Sequence, residues 1–166
     1  MVSESLPKLA IATAAAENSS HGGEKFRPRR VLVVDDEPLL RWSVAETLGD
    51  QGWQVTEAGT AESAIVAFPD IVEASGLVFL DLRLPDSDDL HVLAAMRRLS
   101  PRTPVILMTA HGTPDLADAA RAMGAFAVID KPFDMGELVP LAEQASGYRC
   151  AQASIGGPIQ PTRRMR

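Results

Sequence analysis

The sequence predicts an α/β fold, a doubly wound parallel sheet of five strands covered by five helices, and three observations carry that prediction. Short aliphatic runs recur between residues 31 and 129, and the central ones are apolar throughout rather than alternating, as strands covered on both faces are. Between the runs lie segments whose apolar residues repeat at three and four positions, the period of a helix packed along one side. Polar residues of a few kinds, acids, a threonine and a lysine, follow the runs at their carboxyl ends.

Val31-Leu32-Val33-Val34 is the first strand and ends at Asp35. Pro38 suits the first turn of a helix, and Leu40, Val44 and Leu48 follow at helical spacing until Gly52 supplies a stop. Trp53 to Glu57 alternates enough for a second strand at the sheet edge. Ala61 to Phe68 is a short second helix, which Pro69 is expected to end. Leu77-Val78-Phe79-Leu80 is a third, buried strand ending at Asp81. After the loop Arg83 to Asp88, Leu90, Leu93 and Met96 mark a third helix. Pro104 opens strand four, Val105-Ile106-Leu107-Met108, which ends at Thr109. Pro114 to Met123 is the fourth helix, closed by Gly124. Phe126 to Ile129 is the fifth strand, broken by Lys131-Pro132, and Met135 to Ala145 is the fifth helix. Strict alternation of strands and helices argues for right-handed βαβ units in a flavodoxin-like sheet of order 2-1-3-4-5.

With 166 residues the chain has room for one domain with tails. Hydrophobic residues make up 46% and charged residues 23%, a composition able to bury a core, so wholesale disorder is excluded. Residues 1–28, rich in Ala, Ser, Glu and Gly, are expected to form a flexible arm; residues 29–147 form the folded domain. Residues 148–166, with Gly156-Gly157-Pro158 and Pro161, are expected to be a flexible basic tail unable to sustain a helix. No apolar run approaches the ~18 residues of a membrane span, and Leu9 to Ala16 lacks the basic leader of a secretory signal. A cytoplasmic protein with no membrane contact is expected. The single Cys150 excludes an internal disulfide framework and a Cys-based metal site. Residues 31–147 hold 7 basic and 19 acidic residues, a net of −12. Such a surface repels phosphate backbones, so no specific nucleic-acid binding is expected, and the Arg163, Arg164 and Arg166 cluster reads as a solvated end.

Asp35, Asp36, Asp81, Thr109 and Lys131 all fall at carboxyl ends of strands, where a doubly wound sheet binds its ligands beside the switch point between strands one and three. Three clustered carboxylates cannot all ionise unaided, since two like charges ~4 Å apart repel by about 4 kcal/mol at an effective dielectric of 20. A hard dication resolves this, and an oxygen-only set suits Mg2+, which retains waters and takes up phosphate oxygens. Lys131 adds a fixed positive charge and Thr109 a hydroxyl donor, so the implied guest is a phosphoryl group. Asp81, at the end of a central strand and flanked by the acid pair and Thr109, is the natural nucleophile.

Val33-Val34-Asp35-Asp36-Glu37, Asp81-Leu82-Arg83-Leu84-Pro85, Met108-Thr109-Ala110-His111 and Lys131-Pro132-Phe133 occur in this order over residues 31–147, and together they resemble the receiver domain of two-component response regulators, most of all the nitrogen-regulatory class. The resemblance implies that Asp81 accepts phosphate from a histidine kinase or a histidine phosphotransfer protein. It also implies that Asp36, Asp81 and the backbone carbonyl of Arg83 ligate Mg2+, that Asp35 acts through metal-bound water, and that Thr109 and Lys131 hold the phosphoryl oxygens. A cis Lys131-Pro132 bond is implied as well. Output would pass to a downstream effector protein through helix four, strand five and helix five. Two positions depart from the pattern: Val128 stands where the family usually has an aromatic switch residue, and Asp89 where a glycine is usual. Arg83 and His111 occupy positions that in this family tune phosphoryl lifetime, although each could equally be a solvated side chain.

The leading expectation is a stand-alone receiver that is not an enzyme beyond phosphotransfer and dephosphorylation at its own aspartate, since no DNA-binding or ATPase module follows Gly147. Two alternatives are a receiver-like module that binds a partner without phosphorylation and a receiver fragment of a longer transcriptional regulator. A phosphatase of the dehalogenase type needs a second Asp two residues after the nucleophile, where this chain has Arg83. A calcium loop at Asp86, Asp88 and Asp89 fails because Leu90 breaks the alternation.

Overall fold

The computed structural model describes residues 29–87 and 89–154, with side chains to Tyr148. The expected N-terminal arm, Asp88 and the Arg163, Arg164 and Arg166 cluster lie outside the described residues. Five strands, β1 (Arg30–Val34), β2 (Gln54–Ala58), β3 (Leu77–Asp81), β4 (Val105–Thr109) and β5 (Ala127–Asp130), alternate with α1 (Pro38–Gly49), α2 (Ala61–Glu73), α3 (His91–Leu99), α4 (Pro114–Ala122) and α5 (Met135–Ser154). All strand pairs are parallel and the order is β2-β1-β3-β4-β5, as the alternation predicts.

Every residue of β3 and β4 is buried, whereas β2 and β5 are partly exposed at the two edges, which accounts for the uninterrupted apolar runs in the middle of the sheet. The sheet separates two apolar clusters. Leu32, Val34, Val78, Leu80, Val105 and Leu107 pack against α2, α3 and α4 through Phe68, Ile71, Leu93, Met96 and Ala120. Val31, Val33, Leu77, Phe79, Ile106 and Met108 pack against α1 and α5 through Val44, Leu48, Leu138 and Ala142. Because side chains alternate along a strand, Asp81 shares the parity of Leu77 and Phe79, and Thr109 that of Val105 and Leu107. The two polar groups therefore leave the sheet rim toward opposite layers.

Pro69 does not end the second helix, which runs to Glu73. Pro69 is exposed, so its ring lies on the solvent side of the helix, while Phe68 and Ile71 on either side of it are buried and hold the continuation against the sheet. The stop comes instead at Ser75, in the left-handed region with φ 61°. There Gly76 N donates to Ile71 O at 2.8 Å and Ser75 N to Val72 O at 3.1 Å, a Schellman ending. Gly52 and Gly124, with φ 81° and 95°, provide the stops foreseen after α1 and α4. The fifth helix also exceeds expectation. It passes Gly147 and continues to Ser154, so residues 148–154 are helical rather than part of an irregular tail. A lone Gly costs a helix only about 1 kcal/mol, Tyr148 packs against Phe126 with ring centroids 5.3 Å apart and planes tilted by 59°, and the next proline is Pro158. Trp53 lies just outside β2, buried, with the Arg29 guanidinium 4.6 Å above its ring.

Candidate functional site

Parallel strands deliver their carboxyl ends to one rim of the sheet, and the connecting loops bring the polar residues there together. Asp35 directly follows β1, anchored by its amide to Ala58 O at 3.1 Å, and is wholly buried. Asp36 beside it is exposed. Asp81 ends β3 and is 6% exposed; Thr109 ends β4 and is 2% exposed. Lys131 follows β5, its amide bonded to Thr109 O at 2.7 Å, and the Lys131-Pro132 peptide is cis.

The Lys131 ammonium lies between two carboxylates, 2.7 Å from Asp35 Oδ2 and 2.8 Å from Asp81 Oδ2, with Glu37 Oε1 at 3.8 Å. The other oxygen of each acid takes a backbone amide: Asp35 Oδ1 accepts from Glu37 N at 2.9 Å and Asp81 Oδ1 from Arg83 N at 3.2 Å. Thr109 Oγ1 accepts the His111 amide at 3.2 Å. Burial pushes the Asp81 carboxyl above its ordinary value; the Lys131 bond and the Arg83 amide pull it down, and Asp35 adds to the rise. Burial works against the charge on Lys131, but the bonds to Asp35 and Asp81 outweigh it and hold the ammonium above its usual range.

Carboxylate oxygens of Asp35, Asp36 and Asp81 lie within 4.8 Å of one another. Lys131 contacts two of the three acids but supplies a single positive charge against three negative ones, and Asp36 makes no ion pair among the described residues. An all-oxygen set with surplus negative charge and one solvent-facing member fits a hard, partly hydrated dication such as Mg2+. Arg83, His111 and Asp89 are exposed. Asp89 Oδ1 accepts the His91 amide at 2.7 Å. Val128 is half-buried against the cluster on the α2–α4 side.

Three contributors to the site escaped sequence reasoning. Glu37 reaches toward Lys131, Arg41 donates to the Asp35 carbonyl at 2.6 Å while pairing with Glu57 at 3.1 Å, and Asp86 bonds the start of α2. Glu37 belongs to the acidic run beside Asp36, so its type was a signal. Arg41 and Asp86 have partners 16 and 25 residues away, which no local pattern shows.

A doubly wound sheet that gathers three acids, a hydroxyl and a lysine at one rim defines the receiver class of two-component signalling proteins. The chain belongs to the family described as the response regulator receiver domain, which matches residues 31–143, and its relatives include receivers of the nitrogen-regulatory class, which it most resembles. It is 37% identical to the regulatory protein AtoC of Escherichia coli over 116 residues, 70% of this chain and 25% of AtoC. To the transcriptional regulatory protein PdtaR of Mycobacterium tuberculosis it is 34% identical, over 71% of this chain and 57% of PdtaR. The receiver domain of NtrX from Brucella abortus superimposes with a TM-score of 0.64 at 39% identity, covering 70% of this chain and 98% of that domain. The chain thus spans between a quarter and just over half the length of these two curated relatives. Receiver domains are phosphoryl-accepting signalling modules rather than classical enzymes; they typically bind Mg2+ at an acidic pocket and interact with histidine kinases and effector proteins. No helix among the described residues is long and apolar enough to cross a membrane.

Proposed function

We propose that this chain is a phosphorylation-dependent switch in which Asp81 accepts a phosphoryl group from a histidine kinase or a histidine phosphotransfer protein. The observation that supports it best is the pairing of buried Asp81 with Lys131 at 2.8 Å inside a triad of acids. An Asp81 oxygen forms the new bond to phosphorus as the phosphorus–nitrogen bond of a phosphohistidine breaks, and the imidazole keeps the electron pair. Asp36, Asp81 and the Arg83 backbone carbonyl would hold Mg2+, with Asp35 acting through its water. When bound, the ion neutralises charge on the transferring oxygens. Lys131 and Thr109 take the phosphoryl oxygens. Burial of Asp81 makes its carboxylate poorly solvated and more basic than a surface aspartate, which favours attack. Output passes to a downstream effector protein through the α4–β5–α5 face in the cytoplasm.

The test is incubation with a small phosphodonor and Mg2+. One base-labile phosphate should appear by intact mass and vanish in Asp81→Asn; undiminished labelling of that variant overturns the assignment. A second reading, a receiver module of a longer transcriptional regulator, is favoured by the names of relatives that this chain covers only in part. An immunoblot of the native protein, read for mass, separates the two.

A further inference from the structure

Asp86 lies five residues beyond Asp81 in the loop between β3 and α3. Its side chain is exposed, yet both carboxylate oxygens are engaged: Oδ1 accepts the amide of Ala61 at 2.7 Å and Oδ2 that of Glu62 at 2.9 Å. These are the first two amides of α2, which lack partners inside the helix. The next two are satisfied locally, Ser63 N by Thr60 Oγ1 at 3.1 Å and Ala64 N by Thr60 O at 3.0 Å. The start of α2 is thus capped half by its own Thr60 and half by a residue from the loop that carries Asp81. The two amides hold the Asp86 carboxyl below its ordinary value, so it is ionised at neutral pH.

Asp86 is not alone in restraining that loop. Leu84 and Ser87 exchange two backbone bonds, Leu84 N to Ser87 O at 2.6 Å and Ser87 N to Leu84 O at 3.1 Å, and close a turn with Pro85 and Asp86 at its tip. Leu84 is buried in the cluster that also contains Ala64, Phe68 and Ile71 of α2. On the other side, Arg83 N is tied to Asp81 Oδ1. Arg83 is therefore strung between two anchors, the Asp81 carboxylate and a turn fastened through Asp86 to a helix packed in the core.

We propose that Asp86 is a positioning residue: its grip on the start of α2 fixes the direction of the Arg83 backbone carbonyl, and with it the affinity of the acidic cluster for a divalent cation. The metal consequence rests on the function proposed above; the restraint on Arg83 does not. Without Asp86 the segment 83–87 keeps its turn and the buried Leu84 but loses its polar tie to the start of α2, and the carbonyl must be more fully ordered at the moment a cation arrives.

The experiment compares the full chain with Asp86→Ala, Asp86→Asn and Thr60→Ala, using Mg2+ alone as the probe and reading backbone chemical shifts by NMR. Thr60→Ala removes the side-chain acceptor of Ser63 N at the same cap and leaves the backbone bond to Ala64 N, so it controls for loss of helix stability. Asp86→Ala should weaken Mg2+ binding roughly tenfold, the low end of what supporting residues at metal sites contribute. It should also displace the Arg83 carbonyl carbon resonance in metal-free protein. Asp86→Asn, which keeps one acceptor oxygen and loses the charge, should fall between Asp86→Ala and wild type, and Thr60→Ala should lower the melting temperature while leaving Mg2+ affinity and the Arg83 resonance unchanged. Equal effects of Asp86→Ala and Thr60→Ala, or none from Asp86→Ala, overturn the proposal. If Asp86→Ala does not fold, Asp86→Asn against Thr60→Ala decides by the same criterion. A wild type that fails to bind Mg2+ refutes the metal-dependent reading of the site, and the Arg83 resonance in metal-free protein then decides the positioning role alone.

Discussion

Replacing Lys131 with Met keeps most of the side-chain volume and removes the one cation between Asp35 and Asp81. At 2.7 and 2.8 Å each contact contributes about 6 kcal/mol of attraction at an effective dielectric of 20, before the burial of all three charges is charged against it. The variant forfeits that attraction and keeps two acids within 4.8 Å of each other, a repulsion of about 3.5 kcal/mol at the same dielectric. Breaking a buried pair from one side typically costs ~3–5 kcal/mol, so we expect Lys131→Met to lose about 3 kcal/mol of unfolding free energy at pH 7 without divalent ions. The loss has a signature beyond its size. Asp81 already titrates above its usual 3.8 in the folded protein, and without Lys131 it rises further. A group whose folded value is raised binds its proton more readily folded than unfolded, so lowering the pH through the window above 3.8 favours the fold. The deficit of the variant should therefore shrink from pH 7 to pH 5, and millimolar Mg2+ should raise its urea midpoint more than that of wild type. A deficit below about 1 kcal/mol, or one indifferent to both pH and Mg2+, would refute the electrostatic account of this site.

Asp36→Asn should weaken Mg2+ binding more than Asp35→Asn, because an exposed carboxylate ligating directly loses more when neutralised than one acting through water; calorimetric titration yields the order, and the reverse order contradicts the roles. Thr109→Ala should uncouple phosphorylation from partner binding, whereas Val128→Ala, half-buried and without a polar handle, should mainly lower stability by about 1 kcal/mol. Hydrogen exchange in α4 with and without beryllofluoride distinguishes them: a full response in Thr109→Ala, or none in a folded Val128→Ala, defeats this scheme. Ser75→Gly should stabilise the protein by about 0.5–1 kcal/mol by relieving the left-handed backbone of a residue with a Cβ, read as a higher urea midpoint.

Most of the architecture was legible because the two central strands are buried along their whole length and therefore carry unbroken apolar runs. Helix ends were harder to read. Pro69 looked like a terminator, but its position on the solvent face makes it tolerable, and a sequence does not say which face a proline will occupy before the helix is docked. Gly147 looked like the last ordered residue of the domain, yet the Phe126–Tyr148 ring contact helps carry the helix past it, and that contact joins residues 22 positions apart. The acids, threonine and lysine were readable because each sits at the end of a strand, where strand order alone places it. What supports them was not, since Arg41 and Asp86 act through a carbonyl and two amides whose neighbourhood exists only after α1 and α2 have packed.

The partition described by the sheet has a consequence for how this protein tolerates change. Its two apolar clusters have no side chain in common, so a cavity opened beneath α1 and α5 cannot be filled from beneath α2, α3 or α4. Free-energy effects of substitutions on opposite sides should simply sum, while those within one layer interact. Drift in one layer therefore constrains only its own later history. The helical skins on the two sides can diversify on separate timetables around an acidic rim that belongs to both.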